Sequence, residues 1–220
     1  MTASSRRERP SKPALTREGI VALAVGIMRA EGLEKVTMRR LAGELDTGPA
    51  SLYVYVRNTA ELHAAVLDTL LGEVESPAGG SWLDRLTGTV RAYTELLHTY
   101  PSLARSALVT RPAGPGALGL LDTLLGLLRE GGVPDDRAAW GVDLLLLVAT
   151  ASAAEHATRD ETPGSEAEDE ALAAAIRGAD REAHPHVAAL GAELLSGSGE
   201  DRFAWGVRVL VDGITATPRP

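Results

Sequence analysis

VTMRRLAGELDTGPASLYVYVRNTAEL, residues 36–62, decides the fold. Thr37 can cap a short helix whose Leu41, Ala42 and Leu45 face inward. Asp46-Thr47-Gly48 reads as a tight turn, because Asp and Gly tolerate the unusual backbone angles a turn needs. Pro49 suits the first turn of a second helix, residues 49–55, and Leu52 and Val56, four apart, bury it against the first. Ala42 is small where the two must cross. This spacing predicts a helix-turn-helix. Ala50, Ser51, Tyr53 and Tyr55 are left outside. Short side chains let a helix approach base edges, and tyrosine hydroxyls reach phosphates or bases. Asn58 and Glu61 then form a capping-box-like start to a linking helix, residues 59–74, whose first amides suit a phosphate.

Outward from this stretch, helical periodicity continues. Ile20, Leu23, Ala24, Ile27 and Met28 make one apolar stripe, with Thr16 as its cap and Gly32 as its stop. Leu83, Leu86, Val90, Tyr93, Leu97 and Tyr100 step by three and four until Pro101; Leu118, Leu121, Leu125 and Leu128 do the same before Gly131-Gly132. A long run follows from Pro134 to Thr158, and Phe203, Val207, Leu210 and Ile214 mark the last helix. No alternating strand pattern survives. Aromatics are 4% of the chain, so the core is Leu, Val and Ala, which suits close-packed helices better than strands. The expected fold class is all-α: an N-terminal three-helix helix-turn-helix domain and a C-terminal helical bundle. Residues 1–14 read as a disordered basic arm, 15–75 as the helix-turn-helix domain and 76–220 as the bundle, with the break at Glu75–Ser81. Residues 160–170, rich in acids and helix breakers, read as a mobile loop.

Charge separates the same two regions. Residues 1–59 hold ten Lys/Arg against six Asp/Glu, while residues 60–220 hold twelve against twenty-four. A polyanion is attracted to the first and repelled by the second. The arm's Arg6, Arg7, Arg9 and Lys12 either grasp DNA or are simply solvated. With no cysteine there is no disulfide framework and no thiolate chemistry. The basic N-terminus lacks a following apolar run, and the longest apolar run, Leu144 to Ala154, is about half a bilayer span. The expectation is a cytoplasmic protein without a membrane partner.

The pattern T-x-R-x-L-A-x-x-L-x-x-x-x-x-S-L-Y-x-Y-V-x-N, read here from Thr37 to Asn58, resembles the helix-turn-helix of the TetR family, its tetracycline repressor subgroup in particular. The likeness extends to residues 79–86, 110–112 and 203–214. It implies that Thr37 contacts a phosphate and that Arg39 reaches a guanine edge. Pro49, Ala50, Ser51, Tyr53 and Tyr55 would form the reading face, and Asn58 would hold a phosphate. Thr59 stands where many relatives carry Lys, so that phosphate contact is weaker or shifted to Arg57. The resemblance further implies a homodimer on an inverted repeat of double-stranded operator DNA. Helices at 135–158 and 201–215 would pair with their copies, consistent with Leu144 to Leu147 being apolar on every side.

A ligand cavity follows from the same resemblance, with Thr89, Tyr93, Thr110, Arg111 and Glu155 at ligand-facing positions. Each has a plainer reading: Tyr93 as core, Arg111 as a cap on a carbonyl, Glu155 at a dimer rim. Ala107 occupies the place of the subgroup's metal-chelating histidine, so metal-dependent ligand capture is not implied. His98, His156, His184 and His186 do not make a metal site; His184 and His186 flank a proline in what reads as a loop. Trp82 and Trp140 read as packing anchors. No catalytic residue, metal or cofactor is expected. The function implied is a repressor that leaves its operator when a small-molecule inducer binds; the alternative is a helical ligand-binding protein without DNA function.

Overall fold

The computed structural model describes residues 15–220. It is all-helical, and the arm at residues 1–14 lies outside the described residues. The helices are α1 (Arg17–Glu31), α2 (Met38–Glu44), α3 (Pro49–Leu52), α4 (Thr59–Leu71), α5 (Trp82–Thr99), α6 (Pro101–Ala107), α7 (Pro115–Glu130), α8 (Asp135–Glu161), α9 (Ser165–Arg177), α10 (Pro185–Leu194) and α11 (Gly199–Ala216). The chain divides into two compact units between Leu62 and His63, inside α4.

The first unit follows the sequence cues closely. The Gly19 amide donates to Thr16 Oγ1 at 3.0 Å, and the Arg40 amide to Thr37 Oγ1 at 3.1 Å, so both helices start on side-chain caps. Ile20, Ala24, Ile27 and Met28 are buried in α1, Leu41 and Ala42 in α2, and Leu52 and Val56 beyond the turn. The turn itself differs from expectation. Asp46 adopts the left-handed region at φ 47, whereas Gly48 is extended at φ −81. Asp tolerates that region because its short polar side chain can bond locally. The second helix is one turn long, Pro49–Leu52, rather than reaching residue 55; Tyr53 to Tyr55 continue it as a turn.

The second unit is built around α8, against which α5, α6, α7 and α11 pack. Length and composition would let α8 cross a membrane: an 18-residue window has mean hydropathy 1.4. Here one side of it has protein neighbours, while Leu144, Leu147 and Val148 are exposed. Leu145, Ala149, Ala153 and Ala157 are buried, and small residues permit close crossings. At Gly141 a Cβ would lie 2.6 Å from Ile214 Cγ2, so α8 and α11 meet almost backbone to side chain. The α7 N-terminus rests on α4: Asp68 Oδ1 accepts the Ala117 amide at 2.9 Å and Asp68 Oδ2 the Gly116 amide at 3.4 Å. An acid there also faces the positive end of the helix dipole.

Three sequence readings are corrected in this unit. Residues 160–170 are not one loop: α8 runs to Glu161 and α9 begins at Ser165. The break is only a few residues, with Gly164 in the left-handed conformation at φ 90. Glu166 and Glu168, taken as loop formers, sit in the first turn of α9, where acids are favoured. Pro185 opens α10, so His186 is helical. In α7 the buried face is Leu120, Leu124, Leu127 and Leu128, while Leu118 is exposed. Leucine on almost every side of α7 leaves its inward face undetermined by periodicity alone.

Candidate nucleic-acid interface and ligand cavity

The outer face of the helix-turn-helix is built from residues released by the burial of Leu41, Leu52 and Val56. Pro49, Ala50, Ser51 and Tyr53 are exposed, Tyr55 is half-buried, and Val54 is 81% exposed. A valine that open in a monomeric unit stands out, because large apolar side chains usually find cover. Val54 was not among the sequence candidates. Its signal was available, since it lies between two outward tyrosines.

The adjacent arginines of α2 behave differently. Arg40 is held by Glu31 at 3.0 Å and Glu44 at 3.1 Å. Arg39 is exposed and has no ion pair or side-chain hydrogen bond among the described residues. One guanidinium is thereby committed to the fold and its neighbour is open to a partner. Thr37 keeps its hydroxyl proton after accepting the Arg40 amide, so it can still donate.

Arg57 and Asn58 are already engaged. Asn58 Oδ1 accepts the Glu61 amide at 2.8 Å. Glu61 Oε2 accepts both the Arg57 amide, at 2.9 Å, and Arg57 Nε, at 3.0 Å. The carboxylate reaches one residue further back than the expected capping box would place it. The Arg57 backbone amide, then its side chain, hold the Glu61 carboxyl below its ordinary range. It therefore stays ionised at neutral pH. Replacing Glu61 by Gln removes the charge that holds Arg57. The expected outcome is tighter duplex binding at low salt and a steeper salt dependence, by about one phosphate contact; titrations at several salt concentrations measure both.

In the second unit a cavity of about 270 Å³ lies among α4, α7, α8 and the turn after α6. Leu67, Leu71, Leu120 and Leu146 supply apolar wall; Tyr93, Thr110, Arg111, Asp143 and Thr150 supply polar groups. Of the five sequence candidates, Tyr93, Thr110 and Arg111 line it together. Thr89 does not: it is fully buried and bonded to Ser76 Oγ at 2.9 Å and to the Arg85 carbonyl at 2.8 Å. Glu155 is exposed, beside a shallow hollow with Arg105 and Arg159. Sequence reasoning missed Asp143 and Thr150. Asp143 immediately precedes the long apolar run of α8 and Thr150 lies within it, and a polar residue among apolar ones was the available cue.

Tyr93 is 6% exposed, and its hydroxyl lies 2.5 Å from Thr150 Oγ1. Burial pushes its pKa upward, opposed in part by the Thr150 bond and by the charge of Arg111. Among the described residues Arg111 reaches only the Thr110 carbonyl, at 3.3 Å. Ala107 is buried at the cavity edge.

A wider groove of about 930 Å³ runs between α5, α8 and α11. Along its margin Val148, Trp205 and Val209 are exposed. Trp140 is also exposed, at 56%, rather than a packing anchor; the Arg219 guanidinium stacks over it at 4.0 Å. Leu144 and Leu147 are exposed on the same helix. Trp82 does pack: a Cβ at Gly131 would lie 2.6 Å from its ring. His98 faces Asp160 at 3.2 Å, and His156 bonds the Ser152 carbonyl at 2.7 Å.

A helix-turn-helix with an open outer face, followed by a helical bundle holding a cavity, is the architecture of two-domain helical transcription regulators. Residues 76–217 match the family profile described as tetracyclin repressor-like, C-terminal domain. The chain belongs to the TetR family of transcriptional regulators. Over 133 residues it is 38% identical to the HTH-type transcriptional repressor DrrR1 of Streptomyces coeruleorubidus, covering 59% of this chain and 49% of that one. The match thus spans about half the length of that relative. Among solved structures, transcription regulator SCO7704 from Streptomyces coelicolor is 54% identical, with 95% of this chain and 98% of that one covered and a TM-score of 0.78. ActR from Streptomyces coelicolor, solved in complex with actinorhodin, is 34% identical, with 93% and 97% covered and a TM-score of 0.80.

Proposed function

We propose that this chain is a ligand-responsive transcriptional repressor. As a homodimer it binds an inverted repeat of double-stranded operator DNA, and it leaves when a small molecule enters the bundle cavity. The observation that carries the reading is the reading face itself. Unpaired Arg39 belongs to the same small unit as exposed Ala50, Ser51, Tyr53 and Val54, where a soluble monomer has no use for them. Arg39 offers a bidentate donor to guanine, and Thr37, Asn58 and Arg57 would position the unit on phosphates. Pro49 fixes the start of the reading helix, and Tyr55 would share backbone contact with Tyr53.

Dimerisation is supported by the uncovered apolar margin of α8 and α11, from Leu144, Leu147 and Val148 to Trp205 and Val209. A second copy would cover it and hold the two reading helices near one DNA turn apart, about 34 Å. Tyr93, Thr110 and Arg111 are the assigned ligand contacts; Thr89 would act through its bond to Ser76, and Glu155 from outside the cavity. A ligand weakens operator binding only by its differential affinity for the two states, typically about 1–3 kcal/mol. The division of labour is 15–75 for DNA and 76–220 for ligand and dimer, in the cytoplasm. The reading assigns no catalytic residue and no membrane partner.

A mobility-shift assay on the DNA upstream of the protein's own gene tests this. Wild type should bind, and Arg39→Ala and Tyr53→Ala should each bind at least about tenfold more weakly, as the loss of a base contact costs about 1–3 kcal/mol. Equal binding by all three proteins would refute the assigned readers. Absence of any salt-dependent binding would favour a ligand-binding protein without DNA function.

A further inference from the structure

The hydroxyl protons around the cavity have fixed directions. Thr150 Oγ1 lies 2.6 Å from the Leu146 carbonyl, which can only accept, so the single Thr150 proton is spent there. At 2.5 Å from Tyr93, Thr150 must then accept, and the Tyr93 proton is spent on Thr150. The raised pKa of the buried phenol keeps that proton in place at neutral pH. What this pair can still offer a ligand is lone pairs, not protons. Asp143, on the same wall, is also an acceptor and has no ion pair among the described residues. Arg111 is the opposite: five donors, a fixed positive charge and no carboxylate partner among the described residues.

We infer that the cavity takes a largely apolar small molecule that carries an anionic or strongly accepting group, bound to Arg111, and a hydroxyl or ammonium donor, bound to the Tyr93–Thr150 pair and Asp143. This rests on the sensor reading above and gives its ligand a chemical class. The apolar wall of Leu67, Leu71, Leu120 and Leu146 selects the scaffold; the directed hydroxyl chain selects the donor. Thr150 is a positioning residue, acting through the direction it imposes on the Tyr93 proton. A ligand bearing an ether or carbonyl in place of that donor would set an acceptor against the lone pairs of buried Tyr93 and Thr150, which is costly.

A hydroxynaphthoic acid with its two groups on opposite rings is a suitable probe, beside its methyl ether and its methyl ester. Binding is read by the probe's own fluorescence on the full-length protein, with a melting curve for every variant. Wild type should bind the hydroxy acid about five- to tenfold more tightly than either derivative, each derivative losing one hydrogen bond, of about 1 kcal/mol or slightly more. Arg111→Met should erase the preference for acid over ester and leave that for hydroxyl over ether. Thr150→Val frees the Tyr93 proton and should reverse the preference toward the ether. Tyr93→Phe leaves Thr150 and Asp143 as acceptors and should keep the preference for hydroxyl over ether, narrowed but not reversed. Failure of the hydroxy acid to bind wild type, or preferences unchanged in all folded variants, would overturn the ligand class. Release of operator DNA is measured separately. The expected preferences without release would overturn the sensor reading alone; release indifferent to ester, ether and variant would overturn the ligand class alone.

Discussion

Leu52→Ala is expected to abolish operator binding while leaving the bundle folded. Leu52 is fully buried where the reading helix meets the rest of its unit. Large-to-small changes at such sites cost about 2–5 kcal/mol, because the lost burial is joined by a cavity that cannot close. The first unit is small and has little stability to spare. Its core leucine also sets the level of Ala50, Ser51 and Tyr53, so even a folded variant presents the reading face loosely. A loss of operator affinity of about a hundredfold or more is the expected result in a titrated mobility shift. Thermal unfolding should show the bundle transition unchanged, since Leu52 belongs to the first compact unit and α5 to α11 to the second. Wild-type affinity in Leu52→Ala would mean that this surface does not read DNA.

The second large effect is expected at Gly116. A Cβ there would lie 1.8 Å from the Asp68 backbone oxygen and 2.8 Å from the Gly72 amide nitrogen. Both are main-chain atoms of the α4 end, so no side-chain rotation relieves the clash. The start of α7 must leave α4, and the two amide bonds to Asp68 go with it. Overpacking of this kind costs about 1–3 kcal/mol, occasionally more, before the lost caps are counted. For a chain of this size the melting temperature of Gly116→Ala should fall by about 5–10 °C. The same change at Gly119, one turn along, meets nothing within 4 Å and serves as the control. It should be neutral or slightly stabilising, because Ala is the better helix former. Since Leu67, Leu71, Ala117 and Leu120 all line the ligand cavity, Gly116→Ala should also weaken ligand binding.

What sequence made legible, and what it did not, divides along physical lines. The caps at Thr16 and Thr37, the stop at Gly32 and the buried Leu41–Leu52–Val56 set are local, and local rules found them. The all-helical class followed from periodicity and from the scarcity of aromatics. Where local signals compete, periodicity stopped working. The acids after Thr162 are equally at home in a loop and in a helix's first turn, and the leucines of α7 surround it. The start of α9 was missed for the first reason and the buried face of α7 for the second. The contact between Tyr93 and Thr150 was out of reach for a third reason. Tyr93 and Thr150 are far apart in sequence, and only the packing of α5 on α8 brings their oxygens to 2.5 Å. Arg39 and Arg40 are indistinguishable by composition; the difference lies in Glu31 and Glu44, which take one and leave the other.

One measurement bears most directly on the central claim that a symmetric pair of these chains presents two exposed helix-turn-helix faces to DNA. Sedimentation of the protein with a duplex taken from the DNA upstream of its gene gives stoichiometry and salt dependence together. Two chains should bind per duplex, and the complex should weaken by several orders of magnitude between about 50 and 200 mM salt, as several phosphate contacts require. A strictly monomeric protein, or one that leaves the duplex free at every salt concentration, would contradict the account.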